Sequence, residues 1–155
     1  MNNAFLSRNS YYEGLLQNLY AGSSGCFSFL MKLFYQYNQV AVYSKENLSL
    51  FESLLECELE NCKLLGQSII EIGGDNKYYT SAKKFLSGAS VDYCKSFEQM
   101  FMSDIETLET HVIELKNLIS KIENLQIREK LKKILSNKQQ NLRKIRENYF
   151  KNNLI

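Results

Sequence analysis

Glu58 and Asn61 stand one helical turn apart in the stretch ECELENCKLLGQSIIEIGGD, which runs from Glu56 to Asp75. Their shared face is otherwise apolar. A buried carboxylate is costly unless a cation or a hydrogen-bonded partner answers it. A glutamate followed three residues later by histidine is half of a carboxylate-bridged metal site, but here asparagine holds the histidine's place. A second polar pair, Lys138 and Asn141, interrupts another apolar stripe, Ile127, Leu131, Ile134, Ile145 and Tyr149. A third interruption is Cys26, in the stripe Leu15, Leu19, Gly22, Phe29, Leu33.

Such residues do chemistry only if helices bring them to one level. Apolar residues at alternating three- and four-residue steps predict four helices. The first opens at Ser10, where SYYE has the form of a capping box, and ends near Tyr43. The second begins between Ser44 and Asn47 with the stripe Leu48, Phe51, Leu55, Glu58, Cys62, Leu65, Ile69, Ile72; Gly73-Gly74 stops it. A connection without sustained period follows, from Asp75 to Lys95. Ser96 opens the third helix, with the stripe Phe101, Ile105, Leu108, Val112, Leu115, Ile119, Ile122, and a turn near Asn124 leads to the fourth. The long middle connection can cross the bundle, so the second and third helices can run parallel.

The polar residues of these helices then fall at comparable heights. Glu58 and Lys138 can neutralise each other, with Asn61 and Asn141 supplying hydrogen bonds. The alternative places Lys138 on the helix edge, its stem buried and its ammonium in water. Cys26, Glu58 and Cys62 could make a soft site for zinc or copper(I), or the two thiols could form a redox-active pair; buried packing is the common fate of a free cysteine. Cys57 and Cys94 are expected to be small buried hydrophobes. His111, the one histidine, lies off the apolar stripe near Glu109 and Glu114 and is expected to be solvated.

At 155 residues the chain is expected to form one domain, 1–155, and the absence of proline favours long helices. A net charge of +2 selects no acidic partner, and the basic residues of the fourth helix are dispersed and relieved by glutamates, so no nucleic acid is expected. No apolar run reaches membrane-spanning length, and MNNAFLSRNSYYEG lacks the features of a secretory signal. No membrane partner and a cytoplasmic location are expected, with four reduced cysteines. Tyrosine-rich segments (NSYYEG, FYQYNQVAVY, NKYY) could cover the bundle or form an oligomer interface.

Three segments, LYAGSSGCFSFLMKLFYQ, ELENCKLLGQSIIEIGGD and FLSGASVDYCKSFEQMFMSDIETLE, carry a resemblance to the short rubrerythrin-like members of the ferritin-like superfamily. These are di-iron or di-manganese carboxylate proteins. The resemblance implies an all-α, ferritin-like four-helix bundle with a long crossover between helices 2 and 3, and a homodimer. Carried over position by position, it puts the family's six ligand positions on Cys26, Glu58, Asn61, Leu108, Lys138 and Asn141. Only Glu58 keeps the family's residue, and Asn76 replaces the usual proline after Gly-Gly-Asp. One carboxylate, a thiol and two amides cannot hold two divalent ions, and an ammonium repels them. The resemblance therefore implies a scaffold of di-metal oxidoreductase ancestry with no cofactor and no catalytic residue, in a structural or interaction role. The rival expectation is an oxidoreductase or metal-binding protein using iron, manganese or zinc on Cys26, Glu58 and Cys62. A small-ligand or lipid pocket in the vacated core is a third.

Overall fold

The computed structural model describes residues 10–153, and among them it is all-α with no β-strand. Residues 1–9, on which most of the signal-segment reading falls, and 154–155 lie outside the described residues. The helices are α1 (Ser10–Ala21), α2 (Cys26–Tyr43), α3 (Leu48–Glu71), α4 (Phe97–Lys121) and α5 (Leu125–Asn153). None is long and apolar enough to cross a membrane.

The first expected helix is two helices. Gly22, Ser23, Ser24 and Gly25 form a tight break between α1 and α2. The Gly22 N–H still bonds the Asn18 carbonyl, but the Gly25 N–H turns back to the Gly22 carbonyl at 2.8 Å. Both glycines are needed sterically. A Cβ on Gly22 would sit 2.4 Å from the Asn18 carbonyl oxygen, and one on Gly25 would sit 2.8 Å from that of Leu19. The apolar stripe stays in step across the break, with Leu19, Cys26, Phe29 and Leu33 all buried. That continuity is what made the two segments look like one.

The α1–α2 pair occupies one corner of a four-cornered bundle. α3 and α4 flank it, and α5 packs on both of those; α3 and α4 lie on a diagonal and meet through side chains, with Phe51 edge-on to Phe101. Cross-helix pairs fix the directions. Lys130 reaches Glu71 and Lys144 reaches Ser53, so α3 and α5 are antiparallel. His111 meets Lys138 while Arg146 meets Glu109, so α4 also runs against α5. α3 and α4 are therefore parallel, joined by the long connection.

Gly73, at φ 76°, ends α3 in the left-handed conformation, with the Gly74 N–H on the Ile69 carbonyl. The crossover is tied to the bundle by aromatic contacts and by the α1–α2 segment. Tyr78 stacks on Phe27 at 4.5 Å and lies beside Tyr20, while Tyr35 meets Tyr93 edge-on. Gln17 donates to the Lys77 carbonyl, and Asn18 accepts from the Ser81 N–H. These tyrosines cover the bundle. Ser96 caps α4 by accepting the Gln99 N–H.

Two apolar clusters fill the core, one around Leu16, Leu65, Leu115 and Leu131, the other around Phe29, Phe51, Leu54, Phe101 and Leu108.

Candidate functional site

The buried face of α3 repeats at three- and four-residue steps through Phe51, Leu54, Glu58, Asn61, Leu65 and Ser68. That of α5 does the same through Ile127, Leu131, Ile134, Lys138, Asn141 and Ile145. Antiparallel packing puts Glu58 and Lys138 at one level. Lys138 is fully buried, in a side chain that has no route to solvent. Its Nζ lies 2.6 Å from each Glu58 carboxylate oxygen.

The third proton of the ammonium points to His111 Nδ1, 2.9 Å away. An ammonium only donates, so Nδ1 accepts and the hydrogen of the neutral imidazole sits on Nε2. Nε2 donates to the Ser24 carbonyl at 2.6 Å. That carbonyl is free because the chain breaks there: α2 starts two residues later. The glycine-flanked break thus supplies the acceptor that fixes the histidine's tautomer.

Asn61 Nδ2 donates to Glu58 Oε2 at 3.2 Å, and Asn137 Nδ2 donates to Asn61 Oδ1 at 2.8 Å. Cys26, Glu58 and His111 each present a donor atom, and those atoms lie within 4.8 Å of one another. Phe29 closes the cluster, with Lys138 Nζ 5.0 Å above its ring and His111 edge-on to it.

Burial and the neighbouring Lys138 charge drive His111 well below the ordinary histidine range, against the pull of its bond to Ser24. Burial pushes the Cys26 thiol up to about 12, with Lys138 opposing the shift. Burial also works against the Lys138 charge; Cys26 and Glu58 outweigh it and hold the ammonium above the ordinary lysine value. The Cys26 thiol keeps its proton, so the ion pair is the one between Lys138 and Glu58. The centre is therefore one cation, one anion and two neutral groups.

Several expectations are corrected. His111 is buried at the heart of the site rather than solvated. The inward face of α4 is Phe101, Asp104, Leu108, His111, Leu115 and Leu118, whereas Ile105, Val112 and Ile119 are only half-buried. Leu108, the position matched to a helix-three glutamate, belongs to the Phe29–Phe51 apolar cluster one turn away; His111 is the α4 residue at the level of Glu58. Asn141 is buried and turns toward Cys57 rather than bonding the pair. Cys62 is buried in the neighbouring apolar cluster and is outside the converging trio, so Cys26–Glu58–Cys62 is replaced by Cys26–Glu58–His111. Cys57 is half-buried.

A second buried pair went unnoticed in the sequence. Lys32 on α2 lies 3.0 Å from Asp104 Oδ1 on α4 and donates to Ser103 and Thr107 hydroxyls. Gln36 Nε2 adds a bond to Asp104 at 3.0 Å. Burial raises the Asp104 carboxyl, against the lowering effect of Lys32. Asp104 sits at the same three-and-four spacing as His111, and that spacing was the available signal.

Two bridged divalent ions do not fit this donor set. It offers one carboxylate, one thiol and one imidazole, and an ammonium stands at their centre. The fold and site thus define an all-α four-helix bundle closed by an internal ion pair. Comparison with protein-family models, curated proteins and solved structures found no match.

Proposed function

We propose that this chain is a ferritin-like bundle that has exchanged metal chemistry for an internal ion pair and serves a structural or interaction role without catalysis. The observation that carries this reading is the Lys138 ammonium, seated 2.6 Å from both oxygens of Glu58 and fully buried. A cation of the protein's own making answers the carboxylate. The polar groups around it orient the pair: Asn61 bonds Glu58, and His111 accepts from Lys138.

The interaction role draws on apolar side chains left at the surface, among them Phe34, Phe85 and Phe150, which supply area for a homodimer or another protein contact. Nucleic acid is a poor fit. Four basic side chains on α5, Lys130, Lys132, Lys133 and Arg146, are answered by Glu71, Glu129, Glu60 and Glu109.

Elemental analysis of protein purified without chelator tests the reading. Iron, manganese and zinc are expected far below one equivalent per chain. One tightly held equivalent of any of them would overturn it. Sedimentation at several concentrations tests the dimer, and a single monomeric species throughout would refute that part alone.

A further inference from the structure

We infer that Cys26 Sγ, the Glu58 carboxylate and His111 Nδ1 form a site for one thiophilic divalent ion of the zinc class, with Lys138 as its built-in competitor. The inference rests on the reading that Lys138 stands where a cation would. It goes further in naming which ion the surrounding donors would take once that amine is withdrawn.

Four observations carry it. First, the three donor atoms come from three different helices and converge within 4.8 Å. A tetrahedral zinc-class ion at about 2.0–2.3 Å from its ligands needs donors roughly 3.3–3.8 Å apart, so closure asks for about 1 Å of side-chain adjustment. Second, a cation already occupies the point of convergence: Lys138 Nζ is 2.6 Å from Glu58 and 2.9 Å from His111 Nδ1. Third, the outer partners are those a metal-bound histidine and carboxylate use. His111 gives its far N–H to the Ser24 carbonyl, which leaves Nδ1 as a lone-pair donor, and Asn61 steadies Glu58. Fourth, the donor chemistry selects the ion. Thiolate plus imidazole favours zinc, and calcium or magnesium would need oxygen ligands that the cluster lacks.

Charge closes on both sides of the exchange. With Lys138 in place, an ammonium and a carboxylate sum to zero beside a neutral thiol and a neutral imidazole. With a divalent ion in place, a thiolate and a carboxylate offset it, and Lys138 must be a neutral amine. Entry of the ion therefore releases two protons, one from Cys26 and one from Lys138. Because the pair must break first, the wild-type chain binds weakly.

Cobalt(II) is the probe, because a thiolate ligand gives a charge-transfer band and tetrahedral geometry gives intense visible bands. Lys138→Met is expected to bind cobalt and zinc about 100-fold or more tighter than wild type, the equivalent of no longer having to break a buried pair. Adding Cys26→Ala should remove the thiolate band, and adding His111→Gln should weaken binding. A Lys138→Met protein that binds no better than wild type, or keeps the thiolate band without Cys26, overturns the inference. Should Lys138→Met not fold alone, circular dichroism with added metal decides. Recovery of helix with zinc but not magnesium supports the site; no recovery with zinc overturns it. Failure of these variants to bind leaves the ion-pair reading intact, whereas a tightly held ion in purified wild type would sink that reading.

Discussion

Replacing Lys138 by methionine keeps the volume of the stem and removes the charge. The variant leaves the Glu58 carboxylate fully buried, with the Asn61 amide and the Cys26 thiol as its remaining hydrogen-bond donors. Breaking a buried pair by removing one partner costs about 3–5 kcal/mol. A second estimate comes from protonation. A carboxyl group with an ordinary value near 4.3 takes up a proton at pH 7 for about 3.7 kcal/mol, at roughly 1.36 kcal/mol per pH unit. The two figures agree, so the expected loss at pH 7 is about 4 kcal/mol. The protonation route also fixes a pH dependence. The loss should shrink to about 1 kcal/mol at pH 5, because less work is then needed to neutralise the carboxyl. Urea unfolding of both proteins at the two pH values measures this, given a constant slope with denaturant. Adding Glu58→Gln to Lys138→Met should recover most of the loss at pH 7, since no charge is then stranded. A loss within about 0.5 kcal/mol at pH 7, typical of surface positions, would mean that the pair contributes nothing and would refute the reasoning.

Three further outcomes are expected. His111 is held neutral in the fold, below its ordinary value, so the unfolded chain binds the extra proton as pH falls past about 6.5; stability should drop below that pH by up to about 1.4 kcal/mol per unit. Asp104, raised by burial, acts in the opposite direction at lower pH, so the comparison is wild type minus His111→Gln between pH 7 and 5.5, and equal slopes would contradict the assignment. Gly22→Ala places a Cβ 2.4 Å from a backbone oxygen and should cost more than about 1 kcal/mol by thermal unfolding, whereas an unchanged Tm would show that the break relaxes freely. Cys26 and Cys62 are buried, and burial raises both thiols, so a thiol reagent should modify them in the native protein far more slowly than in urea; equal rates would mean that the bundle opens readily.

The Glu58 and Lys138 positions were legible because each replaces an apolar residue in an otherwise regular stripe. α4 was harder. Phe101, Leu108 and Leu115 fit two phases equally, and the one with apolar residues between them, Ile105 and Val112, looks better on hydropathy. The chain uses the other, which points Asp104 and His111 inward. That choice is stable only because Lys32 and Lys138 arrive from other helices, and partners across helices leave no mark in local periodicity. One clue was available. A buried ammonium has three protons and Glu58 has two oxygens, so a third acceptor had to exist, and the single histidine was the natural candidate. The break at Gly22–Gly25 was visible as composition, but the stripe that continues through it masked the interruption.

Phe29 explains why two ion pairs can share one narrow core. Lys138 and Lys32 approach its ring at 5.0 Å and 5.3 Å. Each ammonium is neutralised by its own carboxylate, Glu58 in one case and Asp104 in the other, so the ring separates two electrically closed units. The units differ in what holds them shut. All three Lys138 protons go to side chains buried with it, whereas Lys32 leans on Ser103 and Thr107, which are half-buried. Loss of the Asp104 charge therefore leaves Lys32 unneutralised beside two half-buried hydroxyls, but loss of the Glu58 charge leaves Lys138 unneutralised among fully buried neutral groups with no way out. Asp104→Asn should accordingly cost clearly less than Glu58→Gln in the same unfolding assay. The reverse order would show that burial, rather than the completeness of each cluster, sets the energy of these pairs.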